Sequence, residues 1–183
     1  MNAAASSFAT YCFRANSLYD PDFTSTGHQP YGFDETMTVY NNYSVTASYI
    51  RVKHIPNAIA DGNPAYVAII RSNSSTAPSF TAAEQFLEYC RYNGSKPILI
   101  GSFQQDMGPR PAVAKLGWRY KKQFIGNSND NFNWGTASTN PSLEAYFHII
   151  AFSVYADDPA AFPLEVDMGF KVKFFTQKML SMS

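Results

Sequence analysis

The sequence predicts an all-β protein: an antiparallel jelly-roll sandwich of seven or eight strands, with one short helix in a long loop. Three observations carry this. Short β-branched and aromatic runs recur along the whole chain, separated by Gly, Pro, Asn and Asp clusters. One segment alone has a convincing helical stripe. Strands and helices do not alternate, so a parallel sheet built from crossover units is not expected, and a Greek-key sandwich of this length points to a jelly roll.

The elements follow in order. Phe8–Arg14 is aromatic with polar alternation and reads as a strand. Asn16 to Asp22 holds Asn, two Asp and Pro21, and reads as a turn. A long loop follows through Asp34, with a short helix expected near Glu35–Asn41. Tyr43–Ile55 is a strand closed by Pro56 and the Asp61-Gly62-Asn63-Pro64 cluster. Ala65–Ile70 is a continuous apolar run, expected of a strand buried on both faces. The helix begins near Thr81, where Thr81-x-x-Glu84 has capping-box spacing. Ala83, Phe86, Leu87 and Cys90 then form one apolar stripe, and Gly94 ends it. Pro97–Phe103 and Gly117–Ile125 read as strands around a loop containing Gly108-Pro109-Arg110-Pro111. Gly126–Pro141 is irregular. Leu143–Tyr155 is apolar on both alternating sets, which predicts cover on both faces. Leu164–Phe174 alternates cleanly: its even positions are apolar, and its odd positions are Glu165, Asp167, Gly169, Lys171 and Lys173.

Size and composition bound the rest. The 183 residues make one domain, and folding buries roughly 70% of the surface of a chain this long. Aromatic residues are 16% of the chain and charged residues only 15%, against a usual quarter or so. That much aromatic surface with so little charge points to an exterior partly covered by something else. The 14 basic and 14 acidic residues cancel, which excludes a uniformly basic nucleic-acid binder. Cys12 and Cys90 make no disulfide framework and read as buried free thiols. No signal peptide or membrane span is read, and a soluble protein is expected.

Few residues suggest chemistry. Glu165 and Asp167 share a strand face and, with Glu144, could form the carboxylate pair of a sandwich-type glycosidase. A solvated strand face that continues to Lys171 and Lys173 explains them more simply. His148 lies inside an apolar strand with no nucleophile elbow around it, and the three histidines are too scattered for a His-based metal site. Asp20, Asp22, Asp157 and Asp158 could offer oxygen ligands to calcium, although their spacing matches no EF-hand loop and turn chemistry is the favoured account of them. No phosphate-binding or dinucleotide glycine pattern is present. No cofactor, no metal and no enzyme activity are expected. A local nucleic-acid signal lies at Trp118, Arg119, Lys121 and Lys122, where basic groups adjoin aromatics. Arg51 and Lys53, beside His54, form a second small basic cluster. A carbohydrate-binding, lectin-like sandwich is an alternative function, with Trp134, Asn131 and Asn133 stacking on and hydrogen-bonding to sugars.

Two blocks carry a family resemblance. Phe13-Arg14-Ala15-Asn16-Ser17-Leu18-Tyr19-Asp20-Pro21-Asp22 is the first, and Thr26-Gly27-His28-Gln29-Pro30-Tyr31-Gly32-Phe33-Asp34 is the second. The signal extends through Tyr40-Asn41-Asn42-Tyr43-Ser44-Val45 into Ser48–Val52, and the order of strands and loops agrees to the C-terminus. The chain resembles capsid proteins of circular, replication-initiator-encoding single-stranded DNA viruses, namely circoviruses and circo-like viruses. The resemblance implies an eight-stranded jelly roll of viral capsid type in two facing sheets. It implies a closed icosahedral shell, most simply sixty copies, around single-stranded DNA. The partners would be copies of the chain itself, the DNA inside and an unidentified host receptor. The location would be the virion, with assembly in the host nucleus or cytoplasm. Residues 1–7 are expected to be a flexible arm, but the arginine-rich arm usual in the family is absent, since residues 1–16 hold only Arg14. Aromatic loops suggest Tyr19, His28, Tyr31, Phe33, Phe132 and Trp134 as contacts between subunits.

Overall fold

A computed structural model describes residues 8–25, 27–55, 65–100, 113–119, 133–153 and 163–179. Seven strands and two helices fall among these residues. They are β1 (Phe8–Arg14), α1 (Phe33–Val39), β2 (Tyr40–His54), β3 (Ala65–Ser72), α2 (Ala83–Tyr92), β4 (Ile98–Ile100), β5 (Val113–Arg119), β6 (Tyr146–Ser153) and β7 (Leu164–Gln177). One sheet has the order β1-β6-β3-β4 and the other β5-β2-β7. Every pairing is antiparallel. Most connections pass from one sheet to the other, which is the winding of a jelly roll.

The core lies between the sheets. Val45, Ile50 and Val52 from β2 meet Val67 and Ile69 from β3 and Phe147 and Ile149 from β6, all buried. A second apolar cluster covers the opposite face of the four-stranded sheet. There Phe86 and Cys90 of α2 pack with Phe80 on Ala68, Ile70, Ile150 and Phe152, and the Phe86 and Phe152 rings stack with centroids 5.6 Å apart. This is why β3 and β6 read as unbroken apolar runs: one face meets the core and the other meets α2.

The α2 stripe forms as expected, with Phe86 and Cys90 buried. Its start differs. The helix begins at Ala83 without a side-chain cap, because the Thr81 hydroxyl donates to Gln85 Oε1 at 3.0 Å rather than turning onto the helix amides. Gly94 takes φ 69° and ends the helix, where a residue with a Cβ would be strained. α1 begins two residues earlier than expected, because Gly32 at φ 79° turns the chain directly into Phe33. Its C-terminal end is held by Lys178, whose Nζ donates to Met37 O at 2.7 Å.

Burial of both thiols pushes the Cys12 and Cys90 pKa values up to about 11. Both cysteines are free, and the raised pKa keeps both thiols protonated at neutral pH. Among the described residues no helix is long and apolar enough to cross a membrane.

Candidate functional surface

The first resemblance block ties one end of the sandwich together. Arg14 is nearly buried and donates to three acceptors on two segments of the chain. Its Nε reaches Glu144 Oε1 at 2.9 Å, and its Nη1 reaches Asp20 Oδ2 at 2.7 Å and Asp20 O at 3.0 Å. Its guanidinium also lies over the Phe23 ring, 4.7 Å from the centroid. Asn16 continues the β1–β6 ladder with its side chain: Nδ2 donates to Leu143 O at 2.7 Å, and Oδ1 accepts from the Ala145 amide at 2.9 Å. Ser48 of β2 donates to Ala15 O at 2.5 Å and so joins the two sheets.

Tyr43, fully buried in β2, is the centre of this end. Its hydroxyl accepts from the Leu18 amide at 3.2 Å and the Tyr19 amide at 3.3 Å, and it lies 3.2 Å from Ser17 Oγ. Ser17 Oγ in turn donates to Asn140 Oδ1 at 2.6 Å. Burial raises the Tyr43 pKa, so the phenol stays neutral. Asp22 forms an Asx turn, with Oδ1 accepting from the Thr24 amide at 2.9 Å, while its Oδ2 accepts from the Tyr11 hydroxyl at 2.7 Å. Asp20 and Asp22 are therefore engaged in turn chemistry. Asp157 and Asp158 lie outside the described residues, and among the described residues no group of three or more acidic, His or Cys side chains could hold a metal ion.

The second block presents some of its residues and hides others. Phe33 is buried and packs edge-on to Tyr43 with ring centroids 5.3 Å apart. This corrects its assignment as a subunit contact: the turn at Gly32 swings it into the chain's own core. Tyr19 is half-buried against the same core, and Trp134 is also half-buried. His28 is exposed, and Tyr31 is fully exposed at 106%. Phe132 lies outside the described residues.

The basic residues separate in the same way. Arg51 and Lys53 stand on the outer face of β2, in register with Asp167 and Glu165 of β7. Arg51 pairs with Asp167, and Lys53 Nζ donates to Glu165 Oε2 at 2.9 Å. This corrects both readings of these residues. The cations already face carboxylates, so they do not form a free phosphate-binding cluster, and Glu165 and Asp167 are ion-pair partners. Glu144 is held by Arg14 and by the Tyr146 hydroxyl on the other sheet, so the proposed glycosidase pair is not assembled. Trp118 and Arg119 end β5, paired in register with Ser48 and Ala47. Lys121 and Lys122 lie outside the described residues.

His148 is buried in β6. Its Nε2 lies 2.8 Å from Ser74 O and donates to it, while Nδ1 has no hydrogen-bond partner among the described residues. Burial lowers its pKa, as expected of a neutral structural histidine. Sequence reasoning missed the Tyr43 hydroxyl. A tyrosine in a strand reads as packing, and only the loops that meet it in space make it a hydrogen-bond hub.

No family model matches the chain, and no curated protein does. Solved structures do show likeness. The chain is 12% identical to one from Desmodium yellow mottle tymovirus, with TM-score 0.43, covering 97% of this chain and 92% of that one. It is 13% identical to one from the naturally occurring empty particles of Cowpea mosaic virus, with TM-score 0.46, covering 97% and 82%. It is 8% identical to one from Cocksfoot mottle virus, with TM-score 0.48, covering 93% and 84%. At such identities and TM-scores, the functional reading rests on the chain's own residues.

Proposed function

We propose that this chain is the subunit of a viral capsid, a closed protein shell built from many copies of itself. In its finer form the reading is a sixty-copy icosahedral shell enclosing circular single-stranded DNA, located in the virion. The two resemblance blocks point to this family, and the jelly roll suits it.

One observation carries the surface side of the reading. Tyr31 is fully exposed, yet it is held between Pro30, whose carbonyl accepts from the Phe33 amide at 3.1 Å, and the buried Phe33. An exposed aromatic ring on a turn whose backbone is fixed offers a large area to bury on contact, and tyrosines are enriched among the residues that anchor protein interfaces. Tyr92, 91% exposed at the end of α2, is a second such ring. The remaining nucleic-acid residues of this reading are Trp118, Arg119, Lys121 and Lys122. Arg51 and Lys53 are left out because β7 neutralises them. The lectin-like alternative is weaker. The side-chain nitrogen and oxygen of Asn133 are both buried and Asn131 lies outside the described residues, so no described polar face accompanies Trp134.

The test is assembly. Purified protein imaged by negative stain and sized by light scattering over a range of salt and pH is expected to form closed particles of one diameter. A protein that stays monomeric throughout overturns the reading.

A further inference from the structure

The outer face of the three-stranded sheet follows from its register. Ser48, Ile50, Val52 and His54 of β2 are buried, so the alternate residues Ala47, Tyr49, Arg51 and Lys53 face away from the core. Each meets one residue of β5 and one of β7. Tyr49 stands between Gly117 and Gly169, Arg51 between Lys115 and Asp167, and Lys53 between Val113 and Glu165. Ala47 stands opposite Lys171 on β7, and the next outward pair is Ser44 with Lys173.

Tyr49 is therefore an aromatic on the central strand with a glycine on either flank and an alanine two residues back. Glycine inside a strand weakens it and marks a close approach by another group. Here that group is the tyrosine ring, which leans over Gly169 and takes the space of the missing side chain: a Cβ there would come within 2.6 Å of Tyr49 Cζ. The residue is still 57% exposed. The ring is backed by β7 and open to solvent.

The charges around it are one-sided. The 14 basic and 14 acidic residues of the whole chain cancel, but on this face Arg51, Lys53, Lys115, Lys171 and Lys173 outweigh Glu165 and Asp167. Arg51 and Lys53 are the two cations paired with those carboxylates. Lys115, Lys171 and Lys173 are exposed. Along β7, Gly169, Lys171 and Lys173 follow at intervals of about 7 Å, a separation comparable to that of neighbouring phosphates in an extended single strand.

We propose that Tyr49 is a stacking platform for one base of a single-stranded nucleic acid, with Lys171 and Lys173 on one side of the ring and Lys115 on the other holding the flanking phosphates. Bases of any sequence stack on an aromatic ring, and cations beside it track the backbone. The face supplies both. A neutral sugar would stack on the ring too, but the surplus positive charge offers it nothing, and both carboxylates that could accept from its hydroxyls already hold cations. The inference deepens the reading of a genome-enclosing shell by giving the strand a site on the folded domain.

The test is fluorescence anisotropy of the full chain with fluorescein-labelled strands of ten nucleotides: oligothymidylate, oligouridylate, and an abasic DNA strand of the same charge. Oligothymidylate or oligouridylate is expected to bind at least fivefold more tightly than the abasic strand, and the tighter of the two names the natural sugar. Tyr49→Leu keeps apolar cover over Gly169 and is expected to abolish that preference. The Lys171→Gln, Lys173→Gln double variant is expected to weaken all three strands alike and to reduce the salt slope by about 1.4, at about 0.7 per phosphate contact. Photo-crosslinking of the parent chain to a 5-iododeoxyuridine strand tests the site without any variant, and its adduct is expected on Tyr49. The proposal is overturned by no saturable binding, by equal affinity for base-bearing and abasic strands, by a folded Tyr49→Leu variant that keeps the preference, or by adducts confined to other residues. Light scattering on the same samples reports assembly separately, so a chain that binds without forming particles sinks the shell and keeps the site.

Discussion

Arg14 and Glu144 are 130 residues apart in sequence and 2.9 Å apart in space, with both side chains less than a fifth exposed. The pair holds the loop after β1 to the entry of β6. Removing one partner leaves the other charge buried and partly unpaired. Glu144→Gln is therefore expected to destabilise the fold by about 2–4 kcal/mol, read as a shift of the urea midpoint at constant slope. A change below the measurement error would mean that water already screens the pair.

Tyr43→Phe removes an acceptor shared by two backbone amides, together with the phenol's own hydrogen bond to Ser17 Oγ, while keeping the ring. Each buried donor left unpaired costs about 1–3 kcal/mol, and the long bonds here place the loss toward the lower end. A loss of roughly 2 kcal/mol in denaturant melts is expected. Faster amide exchange at Leu18 and Tyr19 would locate the effect at the loop rather than in the ring packing.

Gly135→Ala tests the same hub by crowding. A Cβ at residue 135 would lie 2.5 Å from Thr139 O and 2.6 Å from the Tyr43 hydroxyl. Overpacking in a tight site costs about 1–3 kcal/mol. The double variant with Tyr43→Phe is expected to lose less than the sum of the single changes, because both act on one hydroxyl. Strict additivity in the cycle would refute the shared contact.

His148 makes stability depend on pH. Burial lowers its pKa in the folded state, so the unfolded chain binds the proton more readily. Its contribution is full above the ordinary histidine pKa of about 6.5. It is lost as pH falls below that value towards the folded pKa, with a slope of up to about 1.4 kcal/mol per pH unit. His148→Gln is expected to flatten the stability profile in this window. An unchanged slope would place the proton uptake elsewhere.

Tyr31→Ser is expected to leave the melting temperature within about 2 °C, since substitutions at a fully exposed ring fall near ±0.5 kcal/mol. Under conditions where the parent chain forms particles, the variant is expected to need several-fold more protein to do so. Particle formation at the parent concentration would remove Tyr31 from the contact surface.

The local sequence determined the pattern of strands and the face each one buries. Alternation in Leu164–Phe174 placed the even residues of β7 inward, and the unbroken apolar runs of β3 and β6 announced two covered faces. Period two and apolar continuity are properties of neighbouring residues, so they are legible without partners. Register and pairing are not, because they join residues far apart in the chain. Only the tertiary structure put Arg51 opposite Asp167 and Lys53 opposite Glu165, turning a candidate phosphate site and a candidate acid pair into two ion pairs. Only it folded Phe33 inward while leaving Tyr31 outside, since that choice depends on the turn at Gly32 and on Tyr43 waiting beneath it.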